Sequence, residues 1–268
     1  MYKIAASDLD GTLLTSDHKI SPFTKNILTQ LHNQGVDFIF ATGRHHIDVA
    51  HMREQLGIPA FMITSNGACV HDCDNQIVFK QNLSENIVAD VIEMIKGDED
   101  IHVNLYRSDD WLISKDETKK SAVGDHFPYK LFDIENPPLT DIAKIFITRE
   151  DRDHDKLVMW EDKIKAKFAD QANIAFSTPY CLEVMDLGVS KGHALDAIAK
   201  MKGYQLRDCI AFGDGMNDFE MLSMAGKGLV MGGAHHKVKS ALPDNEVIGD
   251  CDDEAVAHYL SKYLLKSF

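Results

Sequence analysis

The sequence predicts an α/β fold, in which a doubly wound, Rossmann-like parallel sheet carries an inserted α/β domain. Short, wholly apolar runs alternate along the chain with helical patterns, which is typical of strands buried on both faces of a parallel sheet. Between about residues 83 and 186 the strand-like runs change character and include an alternating segment, which is typical of antiparallel strands. We therefore expect a discontinuous core domain, 1–82 and 187–268, interrupted by a second domain at 83–186.

Five apolar runs are the predicted strands of the core domain. They are, in chain order, Ile4–Ala6, Val36–Ala41, Phe61–Ile63, Cys209–Phe212 and Leu229–Met231. Between the first two, the segment SPFTKNILTQLHNQG predicts a helix with Ser21 as its N-cap, Pro22 at its first position and Gly35 at its end. The segment HHIDVAHMREQLG predicts another helix before the third strand, so strands and helices alternate as a doubly wound sheet requires.

The inserted segment has strand and helix patterns of its own. IHVNLYRSDDWLIS alternates and contains the turn-like RSDD, which predicts an antiparallel hairpin, and further strands are predicted at KIFIT, NIAFST and CLEVMD. SENIVADVIEMIKG and DKLVMWEDKIKAKFAD are amphipathic and predict two helices. A segment of roughly 100 residues with these elements has a normal size for a domain.

Composition and charge argue against several classes of protein. The chain has 268 residues, is 44% hydrophobic and 26% charged, and carries a formal net charge of −14, which argues against nucleic acid as a partner. No apolar run is long enough to span a membrane, and the N-terminus lacks the basic and apolar regions of a signal peptide. An odd count of five cysteines favours reduced thiols, so we expect a cytoplasmic protein, with monomer or weak dimer left open.

Polar and acidic residues follow the predicted core strands at their carboxyl ends. They are Asp8 and Asp10; Thr42, Gly43 and Arg44; Asn66 and Gly67; and Asp214, Asn217 and Asp218. Ligands of open parallel sheets bind at this edge, so we expect the four aspartates to converge. Four neighbouring carboxylates need a compensating cation, and oxygen ligands without a neighbouring thiolate favour Mg²⁺.

The spacing of Asp8 and Asp10 is the most informative local pattern. A single aspartate after a strand is more often a helix N-cap or a turn residue than a functional one. Two acids at i and i+2, with a further acidic cluster after another strand, make that structural explanation much weaker. The pattern favours a site in which bound Mg²⁺ keeps Asp8 ionised and nucleophilic.

Four short motifs resemble those of the haloacid dehalogenase superfamily, and they occur in the order in which that superfamily has them. They are DLDGTLL, TGR, SKG and GDGMND. The insert lies between the second and third motifs, as does the type IIB cap of the Cof-type phosphatases, and SNGA and EVMDLGVSKG are also typical of that group. The resemblance covers the whole chain and implies a phosphatase, that is, a phosphoric monoester hydrolase that uses Mg²⁺. The sequence also resembles bacterial members that act on pyridoxal 5′-phosphate, which is therefore the expected small-molecule substrate.

The resemblance implies a role for each motif residue. Asp8 would attack phosphorus to form an aspartyl-phosphate, and Asp10 would protonate the leaving oxygen and then deprotonate the attacking water. Because residues i and i+2 of a strand point to the same side, both carboxylates can reach one phosphoryl group. Magnesium would be bound by Asp8, the backbone carbonyl of Asp10, and Asp214, while Asp218 would orient Lys191 or the metal ligands. The phosphate would be held by Leu9, Thr42, Gly43, Lys191 and Asn217.

Several residues near the motifs keep two interpretations. Arg44 would contact the phosphate or the substrate, or else only solvent at the start of a helix, and Asn66 is expected to support the site. His45, His46 and His51 resemble a metal cluster, but they fall on a helix predicted to be exposed, where we do not expect them to bind metal.

Four residues of the insert are candidates for substrate selection. Tyr106, Trp111, Glu183 and Met185 lie on its predicted strands, where such side chains more often belong to the core. If the insert is a cap, they should influence the choice among phosphate esters without supplying the chemistry.

Other functions remain compatible with the sequence. A phospho-signalling receiver also places acids, a threonine and a lysine on a doubly wound sheet, but the insert and the acid/base position of Asp10 argue against it. An inactive binding protein on the same fold is disfavoured because no motif position is missing. Among enzymes, the alternatives are a sugar-phosphate phosphatase of the same family and, less expected, a phosphomutase.

Overall fold

The computed structural model describes residues 2–115 and 129–265, which form two compact units. The first unit contains the chain up to Phe79 and from Ser190 onward, and the second is Lys80–Val189. The predicted insert, 83–186, lies within the second unit, which begins three residues earlier and ends three residues later.

The described residues form fourteen strands and eight α-helices. The strands are β1 (Ile4–Ser7), β2 (Asp37–Ala41), β3 (Ala60–Thr64), β4 (Cys69–His71), β5 (Ile77–Lys80), β6 (Ile101–Tyr106), β7 (Trp111–Ile113), β8 (Tyr129–Leu131), β9 (Lys144–Arg149), β10 (Ala172–Thr178), β11 (Cys181–Asp186), β12 (Cys209–Gly213), β13 (Lys227–Val230) and β14 (Glu246–Val247). The helices are α1 (Pro22–Asn33), α2 (His46–Leu56), α3 (Glu85–Ile95), α4 (His154–Phe168), α5 (Lys191–Met201), α6 (Phe219–Met224), α7 (His236–Ala241) and α8 (Ala255–Tyr263). None of these helices has the length and apolar character that crossing a membrane requires.

The first unit is built on an eight-stranded sheet in the order β14-β13-β12-β1-β2-β3-β4-β5. Pairing is parallel from β14 through β3, and β4 runs antiparallel to β3. The predicted α/β fold is confirmed, and each of the five predicted core strands is present within two residues of its predicted ends.

The antiparallel edge formed by β4 and β5 was not predicted, because its strands are short and partly polar. The turn between them uses Asp72, whose Oδ1 accepts hydrogen bonds from the backbone N–H groups of Asp74 and Gln76. Asn75 adopts a left-handed conformation with φ of 64°, which asparagine tolerates better than most residues. Turn chemistry, and not hydrophobic periodicity, therefore identifies this hairpin.

Alternating residues of the central strands enter two separate hydrophobic cores. Ala5 packs in a core with α1, α2 and α8, whereas Ile4 and Ala6 pack in a core with α5, α6 and α7. Helices therefore cover both faces of the sheet, which explains why its strands are apolar throughout. The predicted N-cap of α1 is also present, since Ser21 Oγ accepts from the backbone N–H of Thr24 at 3.0 Å.

The second unit is a six-stranded sheet in the order β10-β11-β9-β6-β7-β8. The predicted hairpin is formed by β6 and β7, which pair antiparallel, and β9, β10 and β11 are antiparallel as well, whereas β7 and β8 are parallel. One face of the sheet shares a hydrophobic core with α3 and α4.

His71 at the end of β4 predicts a specific loss of stability in mild acid. Its side chain is 1% exposed, its Nδ1 has no hydrogen-bond partner, and its ring stacks on His46 with 4.3 Å between ring centroids. Burial, followed by the nearby His46 and Arg53, lowers the pKa of His71 to about 4. The unfolded chain therefore binds more protons below about pH 6.5, and folding stability falls as the pH falls from there.

We expect this histidine to contribute about 2 kcal/mol to the loss of unfolding free energy between pH 7 and pH 5. Urea denaturation of the wild-type protein and of His71→Phe at both pH values measures the contribution as a difference, with a substitution at the exposed His51 as control. Equal losses in the wild-type protein and His71→Phe would contradict the prediction.

Candidate active site

The carboxyl ends of neighbouring strands bring the predicted motif residues to one edge of the first unit's sheet. Asp8 follows β1, Thr42 follows β2, a tight turn at Ser65–Gly67 follows β3, and Asp214 follows β12. Lys191 is the first residue of α5, which is capped by Ser190. These segments are far apart along the chain and meet because parallel pairing aligns the strand ends.

Lys191 lies at the centre of this group of residues. Its side chain is completely buried, and its Nζ donates to Asp8 Oδ1 and to Asp218 Oδ1, both at 2.7 Å. Burial opposes the charged ammonium, but the carboxylates of Asp218 and Asp8 more than offset this effect and raise the pKa of Lys191. Because a cation at a helix N-terminus also opposes the helix dipole, these carboxylates are what keeps the lysine charged there.

Three of the four aspartates that were expected to converge form a compact cluster around this lysine, and the Asp10 carboxylate lies outside it. Within the part of the chain that the structure describes, Asp8, Asp214 and Asp218 are the only such group whose oxygens lie close enough to share a metal, within 4.8 Å of one another. Asp218 is held by the backbone N–H groups of Asp214 and Gly215, at 3.0 and 2.9 Å, and Thr12 donates to Asp214 at 3.1 Å.

The charge of the cluster fits a bound divalent cation. Burial raises the pKa of Asp8 well above its usual range, and Asp218 and Asp214 add to this effect against Lys191. Burial, followed by Asp218, also raises the pKa of Asp214. Three carboxylates face one ammonium, so a cation would relieve the remaining repulsion, and an all-oxygen donor set suits Mg²⁺.

Gly11 allows the first motif to approach the cluster closely. Its φ is +74°, in the left-handed region, and a Cβ there would lie 2.5 Å from Asp214 Oδ2. Any other residue would therefore be strained and would also displace the aspartate.

The polar residues after β2 and β3 form a second part of the site. Asn66, which has a left-handed φ of 58°, donates its backbone N–H to the carbonyl of Thr42 at 3.0 Å. Its side-chain Oδ1 accepts from Asn217 Nδ2 at 3.0 Å, and a Cβ at Gly43 would lie 2.8 Å from the same oxygen. Asn66 therefore links Thr42, Gly43 and Asn217, and Leu9 directly follows Asp8 with a side chain buried in the core.

The alternative in which Arg44 contacts only solvent is wrong, whereas its contact with the phosphate or the substrate stays a prediction. Its guanidinium donates to both carboxylate oxygens of Asp10, at 2.7 and 2.6 Å, and to Asp48 at 2.7 Å. His18 Nδ1 lies 3.1 Å from the same Asp10 carboxylate. Burial of Asp10 is outweighed by hydrogen bonds and charge from Arg44, so the pKa of Asp10 is lowered.

The prediction that His45 lies on an exposed helix is wrong. His45 is 2% exposed and precedes α2, where its Nδ1 accepts a hydrogen bond from the backbone N–H of Ile47 at 3.3 Å. Its polar neighbours along the sequence suggested exposure, but its role as an N-cap turns the ring inward. Of its two neighbours in the predicted cluster, His46 is half-buried and His51 is exposed.

The four candidates of the insert lie in the second unit. Tyr106, Trp111, Glu183 and Met185 alternate with the residues that pack against α3 and α4, and so share the other face of the sheet. Glu183 forms a buried ion pair with Lys144 at 2.7 Å, and Lys144 Nζ lies 5.0 Å from the ring centroid of Tyr106.

Sequence reasoning missed Lys144, Thr12 and Asp48. The alternation of KIFIT would have placed Lys144 on this second face, with Phe146. Asp48 follows Arg44 at the i+4 spacing of a helical ion pair, which was also readable from the sequence.

Comparisons with known proteins find relatives along nearly the whole chain. A family model described as haloacid dehalogenase-like hydrolase matches residues 5–260. A Cronobacter sakazakii protein named HMP-PP phosphatase is 38% identical over 266 residues, covering 98% of this chain and 96% of its own. The structure of a haloacid dehalogenase-like hydrolase from B. subtilis matches with a TM-score of 0.86 and 26% identity, covering 98% of this chain and 100% of that one. A subclass IIB sugar phosphatase has the same fold, with a TM-score of 0.83 at 21% identity, covering 97% of this chain and 98% of that one.

Proposed function

Because the chain belongs to the haloacid dehalogenase-like hydrolase family and is a phosphatase, we propose that it hydrolyses small phosphomonoesters through an aspartyl-phosphate on Asp8 in an Mg²⁺-dependent reaction. The observation that carries the proposal is the buried Lys191, which bridges Asp8 and Asp218 beside Asp214. This arrangement offers a nucleophile, a cation for phosphate oxygens and a cluster of acids for a metal ion.

In the first step, Asp8 attacks phosphorus as the bond to the ester oxygen breaks, and Asp10 gives that oxygen a proton. Because Arg44 lowers the pKa of Asp10 in the free protein, this proton must be taken up from solvent before the step. Water then attacks phosphorus as the bond to Asp8 breaks, and Asp10 takes the proton of the water, which restores both residues. Transfer of a phosphoryl group depends mainly on positioning and charge neutralisation. We assign these tasks to the Lys191 ammonium and to further donors around it, namely the backbone N–H groups of Leu9 and Gly43 and the side chains of Thr42 and Asn217.

The metal would be held by residues that already surround the nucleophile. Asp8, Asp214 and the backbone carbonyl of Asp10 are the proposed ligands, and Asp218 supports them through Lys191 and the backbone of Asp214. When bound, Mg²⁺ would neutralise phosphate charge and the charge of the carboxylates that otherwise repel it.

For the substrate, we propose pyridoxal 5′-phosphate, because the sequence resembles bacterial phosphatases that act on it. HMP-PP is a second candidate, because relatives 35–38% identical to this chain are named HMP-PP phosphatase. Sugar phosphates are a third candidate within the same reaction class. We also propose that the second unit is the cap domain, in which Tyr106, Trp111, Glu183 and Met185 contribute to the choice of ester.

A phosphate-release assay with and without metal tests the proposal. We expect Mg²⁺-dependent release from pyridoxal 5′-phosphate, HMP-PP or a hexose phosphate, loss of activity in excess EDTA, and recovery when Mg²⁺ is restored. The reason is that Asp8 and Asp214 repel a phosphate dianion when no cation lies between them. The Asp8→Asn variant, purified in parallel, measures any contaminating phosphatase.

Full activity in excess EDTA would remove the metal from the mechanism. Transfer of the phosphoryl group to a second sugar, in place of water, would identify a phosphomutase. The order of kcat/KM among the three esters identifies the preferred substrate.

A further inference from the structure

Three N–H groups of the Arg44 guanidinium donate to two carboxylates. Nε and Nη2 donate to the two oxygens of Asp10, and Nη1 donates to Asp48. Paired parallel hydrogen bonds of this kind fix the orientation of a carboxylate as well as its position. The plane of the Asp10 carboxylate is therefore set by Arg44.

Arg44 is in turn held by an ion pair with the first turn of α2. Asp48 lies in the first turn of that helix, four residues after Arg44, and its carboxylate is partly buried. The backbone N–H of Arg44 also donates to Thr42 Oγ1 at 3.1 Å, which ties the arginine to the end of β2. The backbone of Arg44 is thus anchored beside β2, and its guanidinium is anchored to α2.

Asp10 has little else to hold it. Its side chain is 44% exposed, in contrast to the buried Asp8, and its carboxylate does not belong to the three-carboxylate cluster. Its other side-chain partner, His18, is 67% exposed and offers one ring nitrogen. Without Arg44 the carboxylate would rotate toward solvent, where water satisfies it equally well.

We propose that Arg44 is the positioning residue of Asp10, and that Asp48 anchors Arg44 for this task. The inference rests on the proposed function, in which Asp10 is the general acid and base. Arg44 acts through Asp10, and its guanidinium is not assigned to the phosphate. The effect of losing Arg44 on kcat/KM should therefore depend on which ester is hydrolysed.

The distinction lies in the leaving group. A p-nitrophenolate leaves without a proton, whereas an alkoxide from an alkyl phosphate needs the proton of Asp10. The value of kcat/KM covers the steps up to the first irreversible one, phosphoryl transfer to Asp8, so the later deprotonation of water does not enter it. Loss of Arg44 should accordingly reduce kcat/KM for alkyl esters far more than for p-nitrophenyl phosphate.

The test measures kcat/KM for p-nitrophenyl phosphate, phenyl phosphate and an alkyl phosphate in a set of Mg²⁺-loaded variants. The variants are Arg44→Ala, Arg44→Lys, Asp48→Asn, Asp10→Asn and the double variant with Arg44→Ala and Asp10→Asn. The matched control is Arg53→Lys, because Arg53 lies on α2, the helix that follows Arg44, and donates to Ala60, Asp72 and Asn75 and to no residue of the site. Far-UV circular dichroism and urea denaturation report whether each variant is folded.

We expect Arg44→Ala to lose about 10²-fold on the alkyl ester, the scale of a displaced catalytic group, and only a few-fold on p-nitrophenyl phosphate. In Arg44→Lys and Asp48→Asn the loss of kcat/KM should again be larger for the alkyl ester than for p-nitrophenyl phosphate, but the difference should be smaller. In Arg53→Lys the loss should not depend on the ester. In the Asp10→Asn background, Arg44→Ala should cause little further loss, since both changes remove the same function.

Equal losses on all three esters in Arg44→Ala and Asp48→Asn would overturn the inference and assign Arg44 to the phosphate. If Arg44→Ala does not fold, Asp48→Asn alone decides, because it keeps the arginine and removes only its anchor. If Asp10→Asn itself lost kcat/KM equally on all three esters, the acid/base role of Asp10 would be overturned instead. The failure of the inference and the failure of the proposed function are therefore distinguishable.

Discussion

Asp8→Asn should lose phosphatase activity by a factor on the order of 10⁴ or more, the scale seen when a catalytic nucleophile is removed. The carboxamide is nearly the same size as the carboxylate, so the fold should be retained, but its oxygen is neutral and a poor nucleophile. The buried Lys191 keeps Asp218 as a partner at 2.7 Å, which limits the structural damage. The variant should therefore fail in chemistry and not in folding.

Acid quenching followed by intact-mass measurement separates this role from that of Asp10. Wild-type protein mixed with substrate should carry the mass of one added phosphoryl group, and Asp8→Asn should not. Asp10→Asn should still form the adduct but turn over about 10²–10⁴-fold more slowly, because it lacks the acid and base. Asp17→Asn, at an exposed carboxylate, serves as the purification control. Normal turnover by Asp8→Asn would exclude Asp8 as the nucleophile.

Lys191→Met should destabilise the protein severely. The ammonium lies between Asp8 and Asp218, which are themselves buried. Removing one partner of a buried ion pair leaves uncompensated charge in the interior and costs about 3–5 kcal/mol. Urea denaturation in EDTA at pH 8 should show this loss, and phosphatase activity should disappear with it.

The loss should shrink as the pH is lowered. The pKa of Asp8 is already raised by burial and is lowered by Lys191, so without the ammonium it would rise further above its unfolded value of about 3.9, and the folded variant would bind more protons than the unfolded chain. Its stability therefore rises relative to the wild-type protein as the pH falls from 8 to 5. The wild-type protein should gain less, because its Lys191 ammonium, which stays charged, opposes the rise in the pKa of Asp8.

Two further variants check the interpretation of the buried charge. Adding Asp218→Asn to Lys191→Met removes one unpaired carboxylate and should restore part of the stability. Lys200→Met alters an exposed lysine on the same helix, paired with Asp196 one turn earlier, and should change stability little. If the loss of unfolding free energy in Lys191→Met were independent of pH and unaffected by Asp218→Asn, its cause would be lost packing and not unpaired charge.

The sequence by itself determined the fold class, the core strands and which residues meet at one edge of the sheet. Apolar runs such as Ile4–Ala6 reveal doubly buried strands because side-chain alternation and burial are local properties of an extended chain. The four motifs contain Asp8, Lys191, Asp214 and Asp218, which the structure brings together because parallel pairing aligns the strand ends. The cap residues and the role of each donor remain predictions.

Only the tertiary structure decided which side chains pair with one another. Lys191 reaches Asp8 across 183 positions of sequence, and Arg44 selects Asp10 and Asp48 from a chain with 42 acidic residues. The burial of His45 and the ion pair between Lys144 and Glu183 were likewise hidden. The physical reason is that backbone periodicity is set by neighbouring residues, whereas a hydrogen bond or ion pair depends on distances of about 3 Å that only the packing of remote segments creates.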